Sequence, residues 1–229
     1  SLILNSIDAQ PMPCVDALTF VTSPEYLGQD PFPFQKCALK TMYRLWEKYP
    51  ADAEEAEFLK QEREEWGIDV DLRSEAAVSH LILVVGRRGG KTTLMSYVAT
   101  YSVLQLICLG NPQAYYGLSD RQPIHLMHVA GREEQAKEIF NLSRDIISRV
   151  GFFKPYIDFE KNNSNTLRLF TPYDLALIAK RVGTEGGEES KRTGLPGSLY
   201  IESVPTVAAT NRGKSIYLLM ISEFAHLQR

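Results

Sequence analysis

Two groups of residues could do chemistry on a phosphate. The first is Gly86-Arg87-Arg88-Gly89-Gly90-Lys91-Thr92-Thr93. A polyphosphate concentrates negative charge, and backbone N–H groups at a helix N-terminus are fixed donors for it. Glycines let the backbone curl around the anion with no Cβ in the way. Lys91 would reach the β- and γ-phosphates as a mobile point charge. The Thr92 hydroxyl would sit on a magnesium ion. The standard spacing G-x-x-x-x-G-K-[ST] asks for glycine at Val85, and Gly86 comes one place late. The second group ends the last apolar run, where Ile216-Tyr217-Leu218-Leu219-Met220-Ile221 leads into Ser222 and Glu223. In phosphate-loop hydrolases a buried strand ending in acid sets that acid beside the loop. An aspartate comes first and orders magnesium through water; a glutamate directly after it polarises the attacking water. Here the aspartate place holds Ser222, and Glu223 alone is acidic.

A G-K-T tripeptide is common in surface loops, so the elements around it carry the reading. Residues 81–85 are Leu-Ile-Leu-Val-Val and read as a buried strand of a parallel sheet. Residues 92–109 are apolar nearly all round, which predicts a helix buried on most sides. Gly110-Asn111-Pro112 stops it. Residues 124–130 read as a second core strand. A helix from Arg132 to about Arg149 follows, with Ala136, Ile139, Phe140, Ile146 and Ile147 as its inner stripe. Residues 166–170 and 175–179 read as strands, a hairpin across Pro172, and 198–203 as a further short strand. The alternation of strand, helix and strand predicts a doubly wound α/β domain. The loop 183–198 holds five glycines and little to bury, and is expected to be mobile.

Ahead of the loop, residues 1–31 carry Pro11, Pro13, Pro24 and Pro31 and read as an irregular arm that packs over the domain, with room for a short helix. Phe32-Pro33-Phe34-Gln35 then opens a helix with Ala38, Leu39, Met42, Leu45, Trp46 and Tyr49 at helical spacing. Phe34 admits two readings: an anchor to the core, or a seat for adenine. In the second, its ring stacks on the base while the Gln35 carboxamide donates and accepts at the base edge. Residues 51–75 carry ten acids against three bases, a net −7 that leaves the rest of the chain at +4. They read as an exposed helix ending near Trp66-Gly67, by default a solvated charged face.

The totals exclude several classes. The 229 residues suffice for one substantial domain. No apolar run reaches membrane length, and no signal-peptide pattern opens the sequence. A net charge of −3 does not announce a nucleic-acid binder, though a modestly basic body is compatible with one. Cys14, Cys37 and Cys108 lack metal spacing and suit a reducing compartment. His125 and His128 flank a predicted strand and read as structural.

With these motifs in place, the chain from about Ser23 onward resembles the ATPase domain of the large terminase subunit of tailed bacteriophages, the family that packages DNA into empty capsids. Gly86-Arg87-Arg88-Gly89-Gly90-Lys91-Thr92 looks like that family's deviant phosphate loop. Phe32-Pro33-Phe34-Gln35 is similar to its adenine motif. Residues 129–136 resemble its second strand and following helix, and 210–226 its acidic-strand region. The resemblance implies an α/β P-loop NTPase of the additional-strand, catalytic-glutamate type, with a mostly parallel sheet and helices on both faces. It implies an arm over 1–31 and an ATPase domain over 32–229 carrying the acidic insertion 51–75.

The implied roles follow residue by residue. Phe34 and Gln35 would read adenine. Gly86, Arg88, Gly89, Gly90, Thr92 and Thr93 would wrap the phosphates of ATP. Thr92 and Ser222 would hold Mg2+. Lys91 and Arg87 would neutralise γ-phosphate charge, and Glu223 would be the catalytic base. Implied partners are double-stranded viral DNA, the portal, the small terminase subunit and further copies in a ring, in the host cytoplasm and without a membrane. An arginine finger from a ring neighbour is expected, with Arg132, Arg149 and Arg192 all open. The family's next strand, between 81–85 and 216–221, and its nuclease domain would lie beyond Arg229, so the sequence reads as part of a longer protein. Two rivals stand beside this reading: a helicase of the same ATPase superclass, and a degenerate nucleotide-binding scaffold, which Ser222 favours.

Overall fold

The computed structural model describes residues 9–67, 78–86, 89–130, 133–159, 162–184, 197–205 and 213–222. The chain divides into two compact units, Val15–Val98 and Ser1–Cys14 with Ala99–Arg229.

The unit Val15–Val98 begins with α1 (Ala17–Thr22), α2 (Pro33–Tyr43) and α3 (Ala53–Trp66). Asp16 caps α1 by accepting the Thr19 N–H at 2.9 Å, and its other oxygen takes Lys48 at 2.6 Å and Tyr49 at 3.0 Å. Pro33 stands at the first position of α2, where a missing N–H costs nothing. Asp52 and Glu55 cap α3 reciprocally, at 2.8 and 2.9 Å. Gly67, in the left-handed region at φ 65°, ends it.

The end of α3 therefore falls where the sequence places it, but its face is not all solvated. Glu55 is fully buried and paired with Lys40, itself 4% exposed. Lys40 also donates to the Pro50 carbonyl at 3.2 Å and lies 5.2 Å from the Trp46 ring. A buried ion pair of this kind anchors the acidic segment to α2. Removing one partner would strand a charge, at about 3–5 kcal/mol.

Residues 81–85 depart from expectation. They form no strand, and Ile82 and Val84 are almost wholly exposed. A strand needs a neighbour to satisfy its N–H and C=O groups, and 81–85 has none among the described residues.

The other unit holds a four-stranded sheet in the order β2-β3-β1-β4. Its strands are β1 (Ile124–Ala130), β2 (Thr166–Leu169), β3 (Leu199–Pro205) and β4 (Ser215–Ser222). β1 pairs in parallel with β3 and with β4, and β2 is antiparallel to β3. A bulge between His125 and Leu126 skips Tyr217 in the β1–β4 register. The mostly parallel sheet with intervening helices is the expected α/β class.

Helix α6 (Glu133–Arg149) packs on β1 and β3 through Ala136, Ile139, Phe140 and Ile147, all essentially unexposed. α4 (Lys91–Cys108) is buried from Tyr97 to Leu104, as its composition predicts. The short α5 (Pro112–Tyr115) follows the stop at Gly110.

The second strand expected of the 166–179 hairpin is instead helix α7 (Pro172–Thr184). Its start explains why. The Thr171 N–H donates to Asp174 at 2.8 Å and the Asp174 N–H donates to the Thr171 hydroxyl at 3.0 Å, a reciprocal cap around Pro172. The Ser198 hydroxyl donates to the same Asp174 oxygen at 2.6 Å, tying the helix start to the start of β3. Most of the loop expected at 183–198 lies outside the described residues; Gly183 and Thr184 close α7.

β4 forms where the sequence places it but is not buried. Ile216, Tyr217, Leu219 and Ile221 are each at least a third exposed, and Met220 is its one buried residue. It lies at the edge of the sheet, with one neighbour among the described residues.

Candidate functional site

The loop preceding α4 turns tightly on two glycines. Gly90 adopts φ 78°, the left-handed region that glycine enters without strain. Its carbonyl accepts the Leu94 N–H at 3.0 Å, closing the first turn of α4. A Cβ at Gly89 would collide with the Val85 side chain and sit 3.1 Å from the Gly86 carbonyl. The Gly89 N–H meets that same carbonyl at 3.3 Å. A Cβ at either position would strain the turn.

Lys91 then reaches back across the turn and donates to the Val85 carbonyl at 2.8 Å. Lys91 is also the first residue of α4, whose opening N–H groups have no partner inside the helix. Thr92 and Thr93 are half-buried in that first turn. Lys91, Thr92 and Thr93 thus open α4, and a helix N-terminus is where an anion gains most from backbone N–H groups.

Gln35 braces the loop from the side. Its Oε1 accepts the Phe32 N–H at 2.9 Å, capping α2. Its Nε2 donates to the Gly90 carbonyl at 3.0 Å, and the residue is 2% exposed. A Cβ at Gly90 would lie 2.9 Å from that Nε2 and 3.6 Å from the Phe34 ring. The structure thus brings Phe34, Gln35, Gly90 and Lys91 together. It engages both ends of the Gln35 carboxamide with protein partners, in the position of an anchor.

Ser222 ends β4 in register with Ala130. Arg87, Arg88 and Glu223 lie outside the described residues, as do Arg132 and Arg192. Arg149 is exposed and 3.6 Å from Asp145 along its own helix. No group of three metal-ligating side chains occurs among the described residues.

Sequence reasoning missed two polar clusters. One is the Lys40–Glu55 pair, whose signal was the Asp52-Ala53-Glu54-Glu55 cap ahead of an otherwise charged helix. The other joins β1, β3 and the residue just before β4. His125 on β1 sits 3.0 Å from Glu202 on β3, and Lys214 donates to the same Glu202 oxygen at 2.7 Å. Burial raises the Glu202 carboxyl, but these two partners outweigh it and hold the group below the usual carboxylate range. The Tyr200 ring lies beside His125 and under Arg168. The contacts of this cluster are all internal, as in a structural network.

The chain belongs to the family described as "Uncharacterized protein MJ0330, N-terminal P-loop domain", whose model matches residues 10–185. The matched span takes in α2, α3, the loop and α4, and stops short of β3 and β4. It makes this a P-loop domain, the class of fold that binds nucleotides, and says nothing of Ser222 or Glu223. Neither the curated proteins nor the solved structures gave a match. No helix among the described residues is long and apolar enough to cross a membrane.

Proposed function

We propose that this P-loop domain binds ATP with Mg2+ and hydrolyses it. The observation that carries the reading is the Lys91 ammonium 2.8 Å from the Val85 carbonyl, across a turn that glycine suits at Gly89 and Gly90. A carbonyl is a weak neutral partner for that charge. A triphosphate in the loop would offer a stronger, charge-assisted one. In this proposal Lys91 and the first N–H groups of α4 bind the phosphates. Gln35 positions the loop by holding the Gly90 carbonyl. Thr92 fits a magnesium ion by its hydroxyl at the first helical turn, and the bound ion would supply further charge neutralisation at the γ-phosphate. Glu223 is assigned to orient the attacking water, with Arg87 and Lys91 on the developing charge.

The finer assignment is to a terminase-type motor that turns hydrolysis into movement of double-stranded DNA. The four motifs in family order support it, as does a body of +4 outside residues 51–75. Partners of such a motor are further copies in a ring, a portal and a small terminase subunit. Phosphate release from Mg-ATP, with and without double-stranded DNA, tests both levels. Turnover that DNA stimulates, and that falls at least ~100-fold in Lys91→Ala, is expected. Parental turnover in Lys91→Ala contradicts the assignment.

Ser222 favours a second reading, a nucleotide-binding scaffold without turnover, because a hydroxyl carries no charge where an aspartate usually orders magnesium. Activity confined to a Ser222→Asp protein would support that reading over the motor.

A further inference from the structure

Two of the chain's three cysteines meet, and the nucleotide reading uses neither. We propose that Cys14 and Cys108 form a reversible oxidation site, at which a hydroperoxide closes a disulfide that clasps the segment ahead of α1 to the C-terminal end of α4. The site does not depend on the phosphate-loop reading.

Residues 9–14 are in neither helix nor strand, and they run along the end of α4. The Met12 N–H donates to the Cys108 carbonyl at 2.8 Å, giving a partner to a carbonyl that the helix end leaves without one. The Cys108 thiol lies 3.9 Å from the Pro13 carbonyl oxygen. Gly110 stands at φ 73°, and a Cβ there would collide with the Ala9 carbonyl, so the two backbones pass in contact. The Cys14 thiol completes the set by sharing a hydrogen bond with Cys108. All of these residues belong to one compact unit.

The two sulfurs divide the chemistry between them. Cys14 is exposed and meets the oxidant, whereas Cys108 is buried and reacts only with a partner already beside it. The hydrogen bond with Cys14, and after it burial, push the Cys108 thiol up and keep its proton in place. With hydrogen peroxide, the Cys14 sulfur attacks one peroxide oxygen; the O–O bond breaks, and sulfenic acid and water form. The Cys108 sulfur then attacks the Cys14 sulfur, the S–O bond breaks, and the Cys108 proton leaves with the hydroxide as a second water. The two sulfurs together lose two electrons, which the peroxide gains. A thiol reductant reverses the bridge by exchange, so it suits a reducing compartment, where disulfides are transient. The bridge closes a loop that contains the whole of Val15–Val98, and a cross-link over so long a loop stabilises by restricting the unfolded chain.

Peptide mapping after stoichiometric hydrogen peroxide, with remaining thiols alkylated before digestion, tests this on the parental protein. The expected product is a Cys14 peptide joined to a Cys108 peptide of the same chain, with Cys37, which is buried, still alkylated as a thiol. Tm should rise by at least ~5 °C on oxidation and return to its starting value in dithiothreitol. Cys14→Ser, at an exposed site, should keep the reduced-state Tm and lose the rise. Cys14 recovered as sulfinic or sulfonic acid beside an alkylated Cys108, or bridged to Cys14 of another molecule, overturns the site. A bridge that forms without raising Tm overturns the clasp.

Discussion

β1 and β4 are neighbours in one sheet and trade places between sequence and structure. β4 has the more apolar sequence, Ile-Tyr-Leu-Leu-Met-Ile, and most of it is exposed. β1 contains His125 and His128 and is buried at every position. The difference is the number of neighbours. β1 has a strand on each side and α6 packed on it, while β4 has one strand beside it among the described residues. Apolar content predicts that a segment becomes a strand; position in the sheet decides whether burial stabilises it. β1 can even hold an unsatisfied polar group. Neither nitrogen of His128 has a hydrogen-bond partner among the described residues, nor has the Ser203 hydroxyl, its register partner on β3. Each such group costs about 1–3 kcal/mol, which the surrounding apolar contacts must offset.

Substitutions in the two strands should separate sharply. Leu126→Ala, at a site with no exposure, is expected to lower unfolding free energy by about 2–5 kcal/mol, read from urea denaturation. An equal loss from Leu219→Ala would mean that β4 is buried after all.

The orphaned imidazole gives the next largest effect. Burial holds His128 down at about 3, against about 6.5 in an unfolded chain. Between those values the unfolded state takes up a proton and the folded state does not. Stability is therefore full above about pH 6.5 and falls as pH drops toward about 3, by up to ~1.4 kcal/mol per unit. His128→Leu should remove that part of the slope and keep or raise Tm at neutral pH. A parental slope that persists unchanged in His128→Leu would place the acid sensitivity elsewhere, on carboxylates such as Glu202.

The smallest effect belongs to the edge. Leu219→Ser, at about half exposure, should shift stability by no more than about 0.5 kcal/mol and should improve solubility, because an apolar edge strand invites pairing with other chains. A loss of several kcal/mol in denaturation would contradict the edge position.

The same contrast explains what the sequence made legible. Helix α6 and strand β1 could be read because each has a strong period or a long apolar run and packs as that pattern demands. The α3 boundary could be read because Asp52 and Gly67 are local signals. α7 could not, because Leu175-Ala176-Leu177-Ile178-Ala179 suits strand and helix alike; the cap at Thr171 and Asp174 decides. The run 81–85 shows the converse: strand-forming residues make no strand without a partner. At the loop, residue types alone point to Lys91 and Thr92, an assignment that ligand binding has to test. Gln35's brace on Gly90 depends on a contact between residues 55 apart, which spacing does not display.

The central claim is that the turn before α4 holds the phosphates of a nucleotide through Lys91. Titrating Mg-ATP into the parental and Lys91→Ala proteins tests it most directly. Saturable one-to-one binding that weakens by at least ~10-fold, the loss of one charge-assisted contact, is the expected result. Equal affinity in the two proteins, with both folded, would contradict it.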